Sequence, residues 1–180
     1  MSRVCASGGR QTDVEEHSPW SPFRRFPNPI NETATRVTAG EVVALNAVAL
    51  GLGQMWLLPL VAADYTARAL AGPRFSPLAL LAAKGIIPRL KVAPHWTAGP
   101  PKRFAAAIGA TLMIGASSLY YLTNARKVAY GVGAVMLLFP ALESFLGLCV
   151  GCKMFGVLMT RHLVPDDVCA ECADISLRYR

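Results

Sequence analysis

Two stretches of this sequence are long and apolar enough to cross a lipid bilayer as helices. Residues 104–122 contain no charged side chain, and residues 128–150 contain only Glu143. A helix rises about 1.5 Å per residue, so about 20 apolar residues span the hydrocarbon core. The whole chain is 53% hydrophobic and 16% charged, whereas about a quarter of the residues of a soluble domain are charged. These features predict an all-α fold, a polytopic membrane helical bundle.

Two further segments, closer to the N-terminus, are weaker candidates for membrane helices. Residues 37–55 contain one acid, Glu41, and residues 56–71 form a shorter run that includes Asp64 and Arg68. A short run still spans if its helix stands near the bilayer normal or the bilayer thins locally. The alternative is a buried, re-entrant hairpin. We predict four transmembrane helices, at about 37–55, 56–71, 104–122 and 128–150.

Two amphipathic segments fit short helices in the membrane interface rather than spans. Residues 75–90 carry Lys84 and Arg89 within an apolar body, and residues 153–163 lie between the last span and Pro165. Such helices bury one face at the level of the lipid headgroups. The predicted organisation is a disordered polar leader at 1–28 without a cleavable signal, a membrane helical domain at 29–164 and a cysteine-containing tail at 165–180.

The basic residues are distributed as topology signals. The formal net charge is +7, but Lys and Arg separate apolar runs instead of clustering with aromatic residues on one face, so no nucleic-acid partner is expected. Seven basic residues lie from Arg68 to Arg103, none at 51–54 and two at 124–127. By the positive-inside rule, the central connection and both termini are cytoplasmic. The sequence predicts a multi-pass protein of the inner (plasma) membrane, surrounded by the lipid bilayer.

Four cysteines form two C-x-x-C pairs, Cys149/Cys152 and Cys169/Cys172, with sixteen residues between the pairs. This spacing is typical of zinc sites with four thiolates, for which His162 is a substitute ligand. It also suits redox chemistry, because cysteines three apart on a helix face the same side with Cα atoms about 5 Å apart. Inert buried thiols are a third interpretation. The pattern alone leaves all three open.

The two pairs differ in their predicted surroundings. Cys149 is expected at the C-terminal end of the last span, where the helix dipole disfavours a thiolate unless Lys153 or Arg161 stabilises it. Cys169 is expected on a last short helix that begins after Asp166, with Cys172 as its resolving partner.

Three acids lie within the predicted spans, where ionisable groups are costly and often functional. Asp64 is four residues before Arg68, which predicts an ion pair within one helix, and Glu41 is expected near Arg36 or Arg103. Glu143 lies about two turns before Cys149 and has no basic neighbour on its own helix. We therefore predict that Glu143 exchanges the proton that accompanies thiol oxidation.

Several motifs along the chain resemble those of a known family. They are FPNPINET at 26–33, GPRFSPL at 72–78, GPPKRFA at 99–105, LESFLGLCVGC at 142–152 and PDDVCAECAD at 165–174. Over about residues 26–175 the chain is similar to the bacterial integral-membrane family named domain of unknown function 4395. The association of that family with thioredoxin-like and sulfurtransferase proteins implies that the four paired cysteines serve sulfur or electron traffic.

The preferred function is a membrane-embedded thiol-disulfide or sulfur-relay component, an oxidoreductase component if it turns over. A thioredoxin-like or sulfurtransferase partner would exchange with Cys169/Cys172, which pass the oxidation state to Cys149/Cys152. No cofactor is required for this relay. The alternative is a non-enzymatic membrane protein whose four thiolates hold Zn. A small transporter is the least favoured, because four helices without a clear repeat suit alternating access only as a homo-oligomer.

Overall fold

A computed structural model describes residues 30–90, 95–123, 125–161 and 163–164. Most of these residues are helical, as predicted, and two short strands pair antiparallel through Ile30 with Thr97 and Asn31 with Trp96. The elements, in chain order, are β1 (Ile30–Asn31), α1 (Glu32–Gly51), α2 (Leu57–Ala71), a 3-10 turn (Pro73–Phe75), α3 (Pro77–Leu80), a π-helical segment (Leu81–Ile86), α4 (Ile87–Leu90), β2 (Trp96–Thr97), α5 (Gly99–Tyr121), α6 (Arg126–Leu146) and α7 (Val150–Thr160).

The four longest helices form an antiparallel bundle. Helix α2 packs along α5, α1 packs along α6, and α5 also contacts α6. At one end, Arg36 of α1 donates a hydrogen bond to the carbonyl of Ser144 near the end of α6 (3.3 Å), and Arg103 of α5 donates to the carbonyl of Ala69 near the end of α2 (2.6 Å). We call this the cysteine end, because α7 begins beside it. Residues 52–56, 122–123 and 125 form the far end.

Two of the four bundle helices have the length and composition of membrane spans. They are α5 and α6, and only 28% and 22% of their most apolar windows are buried inside the protein. Most of their apolar surface therefore faces outward. Helices α1 and α2 do not qualify as spans by length and apolar composition: α1 is less hydrophobic, with Arg36, Glu41 and Asn46 along it, and α2 has only 15 residues. The structure therefore supports two of the four predicted spans.

The boundaries of the helices follow from local signals. Helix α1 begins where the Asn31 side chain accepts a hydrogen bond from the Ala34 N–H (3.3 Å). Helix α6 ends because Gly147 adopts a left-handed conformation (φ 68°), with the N–H groups of Gly147 and Leu148 donating to the carbonyls of Glu143 and Leu142. Glycine has no Cβ to oppose this conformation. The chain therefore turns before the first cysteine and starts a new helix.

Helix α7 docks across α5 at the cysteine end. Phe155 and Met159 are buried against Ala98 and Val164, with the rings of Phe155 and Phe104 5.5 Å apart. A Cβ at Gly151 would lie 2.5 Å from the Cβ of Ala105, a separation that ordinary side chains do not reach. Only glycine at position 151 lets the two helices approach this closely, and the same approach fixes the position of both neighbouring cysteines.

Candidate functional site

A disulfide joins Cys149 and Cys152 at the start of α7, with their Cα atoms 5.2 Å apart. Cys149 is the N-cap residue of that helix, and its Sγ accepts a hydrogen bond from the Cys152 N–H (3.3 Å). The prediction that Cys149 ends the last span is therefore wrong, since α6 stops at Leu146. The positive end of a helix dipole, not the negative end, lies at Cys149, and this end stabilises a thiolate without Lys153 or Arg161.

The two cysteines differ in their exposure to solvent. Cys149 is 9% exposed, whereas Cys152 is half-buried. Cys149 also forms part of the wall of a cavity inside the bundle. Cys152 is therefore the more accessible residue from outside the protein, and Cys149 is the cysteine that lines the cavity.

The cavity has a volume of about 120 Å³ and lies among α1, α2, α5, α6 and α7. Its walls are mostly apolar and include Leu112, Met136 and Phe139. Five polar side chains interrupt them: Thr35, Tyr65, Arg68, Lys102 and Glu143. A small, mostly apolar space with a few polar groups is the usual form of a ligand site.

Glu143, the candidate proton carrier, is paired across the bundle. The Nζ of Lys102 on α5 donates a hydrogen bond to its Oε1, and the two side chains are only 12% and 19% exposed. Glu143 has no basic neighbour on its own helix, as the sequence indicated, and its partner comes from α5 instead. The ion pair and Cys149 line the same cavity, so the structure brings Glu143 and Cys149 to one site.

A second ion pair adjoins this cavity. Asp64 is 4% exposed and contacts Arg68 four residues later (2.7 Å), as predicted. It also accepts hydrogen bonds from the Ser76 hydroxyl (2.6 Å) and the Leu78 N–H (3.2 Å), while the Arg68 guanidinium lies 4.1 Å from the centre of the Tyr65 ring. These contacts give Asp64 a structural role in tying the central connection to α2.

Glu41 does not have the partners expected from the sequence. Arg36 and Arg103 donate instead to backbone carbonyls at the ends of α6 and α2. Both carboxylate oxygens of Glu41 are buried, and no hydrogen-bond donor reaches them within the described residues. Glu41 does not line the cavity that contains Cys149.

The second cysteine pair, Cys169 and Cys172, and the substitute ligand His162 lie outside the described residues. In the part of the chain that the structure describes, no three His, Cys, Asp or Glu side chains are grouped as metal ligands. Because the predicted zinc site needs both cysteine pairs, it stays a prediction. The same holds for the leader at 1–28 and the tail at 165–180.

Comparison with known families assigns the chain to one of them. The family described as "Domain of unknown function (DUF4395)" matches residues 30–160. The chain belongs to this family. The DUF4395 match contains Cys149, Cys152, Lys102 and Glu143, and it ends before the second cysteine pair, short of the residue-175 limit that the motifs suggested. No curated protein and no solved structure matches the chain.

The sequence did not predict that Tyr65, Arg68 and Lys102 line the same cavity as Cys149. Lys102 offered the one usable signal, since it and Arg103 come directly before the uncharged apolar run 104–122. A cation there needs a partner when the helix is packed, and Glu143 was the acid left without one.

Proposed function

We propose that this DUF4395 protein is a membrane-embedded thiol-disulfide exchange component in which Cys149 and Cys152 are the reactive pair. The observation that carries the proposal is the Cys149–Cys152 disulfide at the N-terminus of α7, with Cys149 in the wall of the cavity. A structural disulfide would need no helix dipole and no cavity. A disulfide that opens and closes benefits from both.

The proposed membrane arrangement has four spans, with α1 and α2 joining α5 and α6. Support comes from the exposed apolar side chains on the first hairpin, such as Val48, Leu52, Leu60 and Leu70. The distribution of basic residues supports one orientation of the bundle in the membrane. The connection from α2 to α5 leaves and returns at the cysteine end and contains Arg74, Lys84 and Arg89, whereas Arg126 and Lys127 lie at the far end. The positive-inside rule then places the cysteine end in the cytoplasm of the inner membrane.

This location bears on the role of the disulfide. Permanent disulfides are rare in the cytosol, and those that form there are usually transient and catalytic or redox-sensing. A Cys149–Cys152 disulfide at a cytoplasmic membrane face is therefore better suited to electron transfer than to cross-linking.

The chemistry runs in two exchange steps. A thiolate of the donor attacks the more accessible Sγ of Cys152, the S–S bond breaks, and Cys149 leaves as a thiolate stabilised by the start of α7. The second donor thiol then attacks the mixed disulfide, which releases the donor as a disulfide and leaves Cys149 and Cys152 reduced. In the full relay, the donor is the reduced Cys169/Cys172 pair, which takes its electrons from a soluble thioredoxin-like dithiol.

Thiol and metal counts on one purified sample test this proposal. We expect no stoichiometric zinc and loss of the Cys149–Cys152 disulfide when a reduced dithiol peptide is added without oxygen, with one peptide disulfide formed per pair. A chain in which Cys149 and Cys152 are both serine is the control, and it should oxidise no peptide through this site. One zinc per chain that any single Cys→Ser change releases would contradict the exchange function and support the zinc module.

Labelling of single cysteines tests the four spans. In a chain without native cysteines, Gln54→Cys and Thr123→Cys place exposed thiols in the two loops of the far end. Because both loops lie at the same end of the bundle, an impermeant maleimide should label both sites from outside the cell and label Arg74→Cys only after the membrane is opened. If only position 123 is labelled from outside, the protein has two spans, and the first hairpin is re-entrant.

A further inference from the structure

The disulfide at Cys149 and Cys152 must be regenerated after each exchange, which needs an electron acceptor. Cys149 lines the cavity, so an acceptor in the cavity would lie beside this residue. We propose that the cavity binds the ring of a quinone from the membrane, which accepts two electrons from the reduced cysteine pair. This inference rests on the proposed exchange function and names the oxidant that completes its cycle.

The size of the cavity fits one ring. Its volume of about 120 Å³ is close to that of an engineered apolar cavity of about 150 Å³ that takes up benzene. The wall residues Phe139 and Met154 are 37% and 46% exposed on the outer surface of the bundle. Ring substituents and an isoprenoid tail can therefore extend between these side chains into the lipid.

The charges around the cavity favour a neutral ligand with hydrogen-bond acceptors. Lys102 is paired with Glu143, and Arg68 is paired with Asp64. Each positive charge is therefore already neutralised by a carboxylate, and an anionic ligand would gain little binding energy from it. Donors remain available, since the Nε of Arg68 is buried and donates no hydrogen bond within the described residues. A quinone carbonyl oxygen would satisfy such a donor.

The redox step balances without a further reactant. The Cys149 thiolate adds to a ring carbon of the quinone, and the Cys152 thiolate then attacks the Cys149 Sγ. The S–S bond forms as the carbon–sulfur bond breaks, and the electron pair of that bond stays on the ring. Two protons, those of the original thiols, complete the hydroquinone, and the Lys102–Glu143 pair at the cavity is placed to pass one of them. One dithiol and one quinone give one disulfide and one hydroquinone.

The test uses the full chain in lipid nanodiscs, reduced and kept without oxygen, with ubiquinone-1 as the probe. We expect saturable reduction of the quinone, followed by its ultraviolet absorbance, with two thiols lost per quinone reduced and no quinone left on the protein by mass spectrometry. Leu112→Trp, which fills the cavity from α5, should raise the quinone concentration for half-maximal rate about ten-fold or more. Ile108→Phe fills the cavity from another position of the same helix. It should have the same effect, and it replaces the tryptophan variant if that variant does not fold.

Ile114→Trp is the matched control, because Ile114 lies on α5 outside the cavity and is 49% exposed. This variant should behave as the parent. Equal quinone kinetics in the cavity-filling variants and the parent, or non-saturable loss of thiols with arylated cysteines, would overturn the quinone site.

The dithiol-peptide assay on the same samples separates this inference from the function beneath it. If the protein oxidises the peptide but does not reduce quinone, only the quinone site is wrong and the exchange function stands. Failure of both assays overturns the exchange function as well.

Discussion

Cys149→Ser and Cys152→Ser should differ sharply in their reaction with a small disulfide. In a chain whose other three cysteines are serine, oxidised glutathione should add to Cys152 of the Cys149→Ser variant at least about ten times faster than to Cys149 of the Cys152→Ser variant. The reason is access, since Cys149 is 9% exposed and faces the cavity while Cys152 is half-buried. The adduct on Cys152 should persist, because the thiol that resolves it is missing.

Intact-protein mass spectrometry over time measures both reactions. The chain with Cys149 and Cys152 both intact is the control, and it should form its internal disulfide without accumulating glutathione. Equal rates for the two single variants would mean that either sulfur meets the donor, and the assignment of Cys149 to the inner face and Cys152 to the outer face would fail.

The second prediction separates chemistry from stability at the Lys102–Glu143 pair. Glu143→Gln and Lys102→Met should each lower the free energy of unfolding by about 1–3 kcal/mol, because each leaves one charge without its partner in a shielded position. The double variant should regain part of this loss, since no unpaired charge remains. Reoxidation of Cys149 and Cys152 should be slow in Glu143→Gln and stay slow in the double variant, because neither contains the carboxylate to which we assign the proton exchange.

Thermal unfolding and thiol counts on the same samples measure the two effects. Glu41→Gln is the matched control, because it removes another acid of the bundle that does not line the cavity, and it should leave reoxidation unchanged. A double variant that recovers both stability and reoxidation would show that the ion pair serves packing alone.

Features that depend on neighbours along the chain could be predicted from the sequence. The uninterrupted apolar runs predicted α5 and α6, and the four-residue spacing predicted the Asp64–Arg68 pair. The C-x-x-C spacing placed the sulfurs of Cys149 and Cys152 within reach of each other. Each of these follows from the geometry of one or two helical turns, which a short stretch of sequence specifies completely.

The signal that ends α6 is also local in the sequence, yet our sequence interpretation missed it. The run 128–150 was read as one helix because its hydrophobicity is continuous, whereas Gly147 followed by the apolar Leu148 is the signal of a helix end. Hydrophobicity reports burial or lipid contact and contains no information about backbone direction. The correction matters for function, because it moves Cys149 from the negative end of one helix to the positive end of the next.

The composition of the site depends on contacts between helices that are distant in the sequence. Lys102 and Glu143 are 41 positions apart in the sequence, and the cavity that they share with Cys149 exists only where five helices meet. Which side chains face each other across a bundle depends on the rotation and offset of every helix, and these are set by packing of small groups such as Gly151 against Ala105. The sequence supplied the reactive groups, and interhelical packing determined which of them act together.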